Sequence, residues 1–147
     1  MNTGEVRVIE TGRYMELVPL FKESGLEIHI EGDAPPSMVT CWRAEDKEGH
    51  LVGGVSIEYK GGEFVIGDIA VKKNLRGQDI GTLLMDTAMR RIKAVGGERI
   101  YLVAKAPKFF EKFGFTYLIP EEAPDIFNCK TCDQLGVSCH PEFMTFI

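Results

Sequence analysis

The sequence has little of what commits a protein to nucleic acid, lipid or the extracellular medium. Its 147 residues carry 17 basic against 22 acidic side chains, a formal net charge of −5. Proteins that neutralise a phosphate backbone carry a basic excess, so neither nucleic acid nor an anionic membrane is expected as the main partner. No apolar run approaches the length needed to cross a bilayer. The first residues lack a signal-peptide pattern, which makes the cytoplasm the expected location. In that compartment the four cysteines are expected as thiols or metal ligands rather than disulfides. Internal repeats, low-complexity tracts and a domain linker are also missing. One domain is expected at this length, and 44% hydrophobic residues suffice for a core of its own.

What is there is organised around residues 64–81. Phe64 to Val71 is a short apolar run, broken by Gly67 and Asp68, and it reads as a strand buried on both faces. A basic, glycine-containing turn follows, Lys72 to Asp79. Then Ile80, Leu83, Leu84, Ala88, Ile92 and Val95 recur at the spacing of one helical face, with Met85 and Met89 off that face, open either to a partner subunit in a homodimer or to packing under a neighbouring strand. The first amides of a helix lack intrahelical acceptors, and the helix dipole adds partial positive charge there. A strand, a turn and a helix N-terminus in this order form an anion site suited to phosphate.

Arg76-Gly77-Gln78-Asp79-Ile80-Gly81 resembles the Arg/Gln-x-x-Gly-x-Gly/Ala signature of the GNAT acyltransferase superfamily. Asp68-Ile69-Ala70-Val71 is similar to that family's central strand, and Ala106 to Phe115 to its second motif, Ala-x-x-Phe-Tyr-x-x-x-Gly-Phe. The resemblance covers Phe64 to Phe115 well and the N-terminal half loosely. It implies an α/β fold whose central mixed β-sheet, flanked by helices, splays between two parallel strands, here Glu63–Val71 and Arg99–Ala104. Residues 1–119 are expected to form the acetyl-CoA-binding domain; the resemblance does not explain Pro120 to Ile147, a cysteine-containing segment expected to complete the same domain.

The remaining elements follow from local pattern. Glu5–Glu10 reads as a strand, and Arg13–Glu23 as a helix with Thr11 as a cap. Leu26–Ile30 fits either an extended segment or a short helix. Met38–Glu45 and Leu51–Tyr59 read as a hairpin around Asp46–His50, and Gly61-Gly62 turns into the central strand. Gly96-Gly97 ends the long helix. A strand over Arg99–Ala104, a short helix over Ala106–Lys112 ended by Gly114, and strands at Phe115–Ile119 and Phe143–Ile147 complete the reading.

The resemblance also implies chemistry: transfer of an acetyl group from acetyl-CoA to the amine of a small molecule or amino acid. Backbone groups of Ile69, Ala70 and Val71 would hold the pantetheine. Those of Arg76, Gly77, Gln78, Asp79, Ile80 and Gly81, with Thr82 in the first helical turn, would hold the pyrophosphate. Phe109 belongs to the second motif, and Lys112 would reach the 3′-phosphate, if it is not simply a solvated helix lysine. The amide near Ala70 or Val71 would be the oxyanion donor. A base must deprotonate the acceptor ammonium, and Asp68 and Glu63 are the candidates. Asp68 stands beside the cofactor-binding residues, and a carboxylate on a buried strand is costly unless used or paired. Its alternative role is to fix a neighbouring turn. Glu27, His29 and Glu31 would face the acceptor or solvent. The second motif departs from the family at Phe110, which has no proton to give where tyrosine is usual, and Val103 stands where asparagine is common.

Cys129-x-x-Cys132 followed by Cys139-His140 has the look of a metal-ligand set, with Cys41 as a further donor, and zinc is the ion such a set would take. A redox pair or plain buried thiols are the alternatives. A non-catalytic acyl-CoA-binding module with a metal- or redox-sensing tail is the rival to the enzyme.

Overall fold

The covered strand at the centre of this fold is residues 51–60. In the computed structural model, which describes residues 6–26, 28, 32–75, 79–124 and 142–147, Val52 to Glu58 are buried without interruption. Neighbouring side chains of a strand point to opposite faces, and two adjacent glycines let side chains of the helix Ile80–Ala94 close on one face and Leu17 on the other. A Cβ on Gly53 would touch Leu84 and Ile80 at 3.0 and 3.3 Å, and one on Gly54 would press on Leu17 at 2.9 Å. The strand expected to be buried on both faces, Phe64 to Val71, is only partly so: Val65, Ile66 and Ala70 are buried and Gly67 to Ile69 are not.

Among the described residues the strands are β1 (Arg7–Glu10), β2 (Met38–Glu45), β3 (Leu51–Lys60), β4 (Glu63–Val71), β5 (Ile100–Ala104), β6 (Thr116–Leu118) and β7 (Glu142–Phe146). The helices are α1 (Val18–Glu23), α2 (Ile80–Ala94) and α3 (Pro107–Glu111). The strands form one mixed sheet in the order β1-β2-β3-β4-β5-β7-β6. The parallel pair is β4 with β5, with Phe64 opposite Ile100 and Val65 opposite Tyr101. Two compact units divide the chain, Met1–Glu58 with Ile66–Gly96, and Tyr59–Val65 with Gly97–Ile147.

In the first unit the expected hairpin is present. Asp46 Oδ1 accepts the backbone N–H groups of Glu48 and His50, both at 2.9 Å, and turns the chain from β2 into β3. The expected helix over Arg13–Glu23 is instead broken into a 3-10 turn, Tyr14–Glu16, and α1, which starts after Leu17. Pro19 is the reason: in a continuous helix its ring would meet the carbonyl of Met15, and it has no N–H to donate. Thr11 caps no helix; its hydroxyl donates to Glu16 at 2.7 Å. On α2 the buried residues are Ile80, Leu84, Met85, Ala88 and Ile92. Met85 is therefore core, not a partner surface, and Val95, expected in the core, is exposed past the helix end. Arg91 of α2 makes two bonds to Glu10 of β1, at 2.7 and 3.1 Å, and stacks 5.2 Å over the Trp42 ring.

In the second unit β7 inserts between β5 and β6, antiparallel to both. Phe109, Phe110, Phe113, Phe115 and Phe146 form a chain of ring contacts at 5.1 to 6.2 Å, which seats α3 on this part of the sheet. Gly114 has φ of 92°, and its open face lies against the Phe146 ring. An L side chain there would be strained and would collide with the ring.

Candidate functional site

Gly54, Ser56 and Glu58 share one face of β3 by alternation, the face on which Leu17 packs. This face is polar toward the end of the strand. The Ser56 hydroxyl accepts the backbone N–H of Asp68 at 3.0 Å, which ties β4 to β3 at that residue. Glu58 is buried and accepts a short hydrogen bond from the Ser37 hydroxyl. The carboxylate of Glu58 and the Ser56 hydroxyl occupy the space where a Cβ on Gly67 would stand. Gly67 therefore provides the room in which a carboxylate from one strand lies across the next.

Asp68 itself is half-buried, and its Oδ2 accepts the Tyr14 hydroxyl at 2.7 Å. The Tyr14 ring is buried among Leu17, Val18, Leu20, Phe21, Cys41 and Ala70. Burial, then the hydrogen bond to Asp68 and its charge, then the charge of Glu58, hold the Tyr14 hydroxyl far above the ordinary phenol range. This phenol stays protonated and acts only as a donor. The cluster thus combines two carboxylates, Glu58 and Asp68, with two serine hydroxyls and a tyrosine, and Asp68 stands immediately before Ile69-Ala70-Val71 on β4.

The chain leaves β4 through a 3-10 turn, Lys73–Leu75, and enters α2 at Ile80. Lys72 holds this exit in place through its backbone N–H, 2.9 Å from the Val52 carbonyl. Arg76, Gly77 and Gln78 lie outside the described residues. Asp79 is described, and it is the one non-glycine residue with positive φ among them, at 62°. Its side chain makes no cap hydrogen bond, so the cap contribution open to an aspartate at this position is not realised. An N-cap side chain reaches the free amides from an extended backbone, and the left-handed backbone of Asp79 points it elsewhere. That conformation is why glycine suits this position. Asp79→Gly removes a steric cost of roughly 1–2 kcal/mol against a glycine entropy cost of about 0.5–1 kcal/mol. The variant is expected to melt about 2 °C higher, and an anion at the N-terminus of α2 is expected to bind more tightly at low salt, because a carboxylate leaves it. Unchanged melting and weaker binding by calorimetry would refute both effects.

A model of the GNAT acetyltransferase family matches residues 10–115. The chain belongs to the GNAT acetyltransferases. Solved structures agree on the GNAT fold. A GNAT-family acetyltransferase of Staphylococcus aureus Mu50 is 19% identical, with a TM-score of 0.73 over 96% of this chain and 98% of that one. A probable acetyltransferase of methicillin-resistant S. aureus is 26% identical, with a TM-score of 0.68 over 84% of this chain and 98% of its own. N-acetylglutamate synthase of Neisseria gonorrhoeae, solved with coenzyme A and N-acetyl-glutamate, has a TM-score of 0.74 at 15% identity. It is matched over 96% of this chain but 34% of that one. No curated protein sequence matches.

In this GNAT chain the structure brings Asp68, Ile69, Ala70, Val71, Asp79, Ile80, Gly81 and Thr82 into the first unit. Ile80 is buried, while Gly81 and Thr82 are half-exposed in the first turn of α2. Glu63, Phe109 and Lys112 belong to the second unit. Glu63 is half-buried there, not exposed, and its charge acts on Arg99. Lys112 lies 5.9 Å over the Phe109 ring, a cation–π contact. Phe110 is buried in the aromatic chain, which accounts for phenylalanine where the family has tyrosine. Tyr101 is buried and accepts a hydrogen bond from Arg99 at 3.3 Å, and Tyr117 is exposed.

Cys129, Cys132, Cys139 and His140 lie outside the described residues, as do Glu27, His29 and Glu31. Cys41 is fully buried beside Tyr14 and Leu17, and burial pushes its thiol up to about 11.

Sequence reasoning missed Glu58 and Tyr14. Glu58 had a signal: it is the one charged residue in the largely apolar stretch Leu51 to Tyr59. Tyr14 had none, since its place in an apolar pattern suits a plain core aromatic.

Proposed function

We propose that this chain is an N-acetyltransferase that moves the acetyl group of acetyl-CoA to the amine of a small molecule or amino acid. The observation that carries the reading is Asp68. It is a half-buried carboxylate on β4, held at its backbone by Ser56 and at its side chain by Tyr14, immediately before Ile69-Ala70-Val71. Asp68 accepts a proton from the acceptor ammonium. The amine nitrogen then attacks the thioester carbonyl carbon, the C–N bond forms, and the C–S bond breaks. The second amine proton goes to the departing thiolate, giving the free thiol of CoA. With a thiol pKa of about 8.5, that thiolate leaves without a tyrosine acid, which agrees with Phe110.

Ile69 and Ala70 hold the pantetheine through their backbone groups, and the amide at Ala70 or Val71 donates to the carbonyl oxygen as it gains charge. The β4–β5 ladder supports this, because among the described residues it engages Phe64 and Val65 and not Ile69 or Ala70. The N-terminus of α2, with Arg76 to Thr82, receives the pyrophosphate. Two carboxylates in the cluster, Glu58 and Asp68, favour a small basic acceptor over an acidic one.

Thiol release from acetyl-CoA, followed over a panel of basic amines, neutral amino acids and glutamate, tests the reading. At least one amine is expected to raise the release and to gain one acetyl group by mass spectrometry. Acetyl-CoA binding without release on any amine would point to a non-catalytic CoA-binding protein, and absence of binding would overturn the reading altogether.

A further inference from the structure

We infer that Tyr14 is a positioning residue for Asp68, a fixed donor that orients the proton-accepting carboxylate and tunes its proton affinity. The inference rests on the proposed acetyl transfer for its kinetic consequence, but its physical core is the Tyr14–Asp68 pair itself.

Packing alone does not call for a hydroxyl at residue 14. The ring fills a slot between Leu17, Phe21, Cys41 and Ala70, with the Phe21 ring 5.8 Å away, and phenylalanine would fill it without a polar group to bury. A buried hydroxyl is costly unless it is hydrogen-bonded. Here it is bonded to Asp68, 54 residues away in sequence, at 2.7 Å. The hydroxyl is thus delivered through an apolar cluster to one carboxylate oxygen. Because the ring is clamped, the donor does not move, and tying Oδ2 to it fixes the plane of the carboxylate and with it the direction of Oδ1. The Asp68 backbone is fixed independently by Ser56. A donor to a carboxylate stabilises the ionised form, which keeps Asp68 ready to accept a proton. Besides Asp68, the titratable groups that act on the Tyr14 hydroxyl are Glu58 of β3 and Cys41 of β2. Cys41 stays neutral below about 11.

Tyr14→Phe keeps the ring and removes the donor. In carbon-13 NMR of the carboxyl groups, Asp68 is expected to titrate about one pH unit higher in this variant than in the parent protein. In the kinetics, kcat is expected to fall roughly tenfold or more, with the KM for acetyl-CoA unchanged and the acid limb of the pH–rate profile moved to higher pH. The sign follows from the role: a base must be unprotonated, and losing a donor raises the pH at which it becomes so. A residue that only packs would leave the limb where it is. Replacing all four tyrosines with 3-fluorotyrosine guards against a folding failure of the variant. The substitution makes the phenol a stronger donor at nearly the same size, and Asp68 is then expected to titrate lower. An Asp68 titration that is the same in all three proteins overturns the inference, whether or not acetyl transfer occurs. An active enzyme whose kcat and acid limb are untouched by Tyr14→Phe overturns it as well. A parent protein that acetylates no amine sinks the acetyl-transfer reading instead, while the NMR titration still decides the role of Tyr14.

Discussion

Asp68→Asn is expected to lower kcat by about two orders of magnitude or more, with the Kd for acetyl-CoA nearly unchanged. Asparagine has the size of aspartate, and its amide oxygen still accepts the Tyr14 hydroxyl, so the buried donor keeps its partner. The backbone bond to Ser56 does not involve the side chain. What disappears is the capacity to take a proton from an ammonium. Acetyl-CoA is proposed to be held by backbone groups of β4 and the turn before α2, which this swap leaves in place. An effect on turnover with no effect on cofactor affinity is the signature of a group used only in the chemical step. The acid limb of the profile should vanish together with the activity. Turnover equal to that of the parent protein across the pH range would remove Asp68 from the mechanism, whatever the acceptor turns out to be.

Gly67→Ala is expected to destabilise the protein by about 2 kcal/mol, the scale of a lost hydrogen bond to a charged group. That corresponds to a melting point lower by roughly 4–8 °C for a chain between the sizes usually surveyed. Gly67 does not have a positive φ, so alanine meets no backbone penalty there. In an ordinary strand the change would even help, since glycine loses more chain entropy on folding. The cost comes from the neighbour. The new methyl would occupy the space of the Glu58 carboxylate and press on Ser56. Glu58 has a flexible side chain, but it is buried and bonded to Ser37. Moving it breaks that bond or strands a charge. A double-mutant cycle with Glu58→Ala checks the cause, because removing the carboxylate makes room for the methyl. The pair should then be markedly less destabilised than the sum of the two single variants, and simple additivity would show that the clash is not the reason.

The local devices of this fold were legible in the sequence because their physics is local. The turn Asp46–His50 marked β2 and β3 as a hairpin, and Glu63–Val71 proved to be a strand with the stated bounds. Gly96 and Gly114 end helices with φ of 89° and 92°, a conformation that glycine adopts without penalty. The motif from Arg76 to Gly81 and the Ala106–Phe115 motif marked the family before any contact was known. Helical spacing placed Ile80, Leu84, Ala88 and Ile92 in the core correctly.

Failures came where a residue's fate depends on distant chain. Met85 is core because the surroundings of α2 cover more than the narrow stripe that periodicity picks out, and Val95 is exposed because the helix ends before it. Pro19 was a local signal that the apolar spacing around it concealed. Asp79 carries a backbone conformation that its side chain does not announce. The order β5-β7-β6 places the last described strand inside the sheet, a pairing between residues far apart in the chain that no window of sequence contains. The sequence by itself determined the family, most element boundaries and the carboxylate to suspect, since these follow from short-range pattern and backbone freedom. Tertiary structure alone decided what holds that carboxylate. Tyr14 comes from a broken helix and Ser56 from the neighbouring strand, and the room that Gly67 leaves is visible only once Glu58 lies across it. Hydrogen bonds and steric fit act over a few ångströms, and only folding brings these residues within that reach.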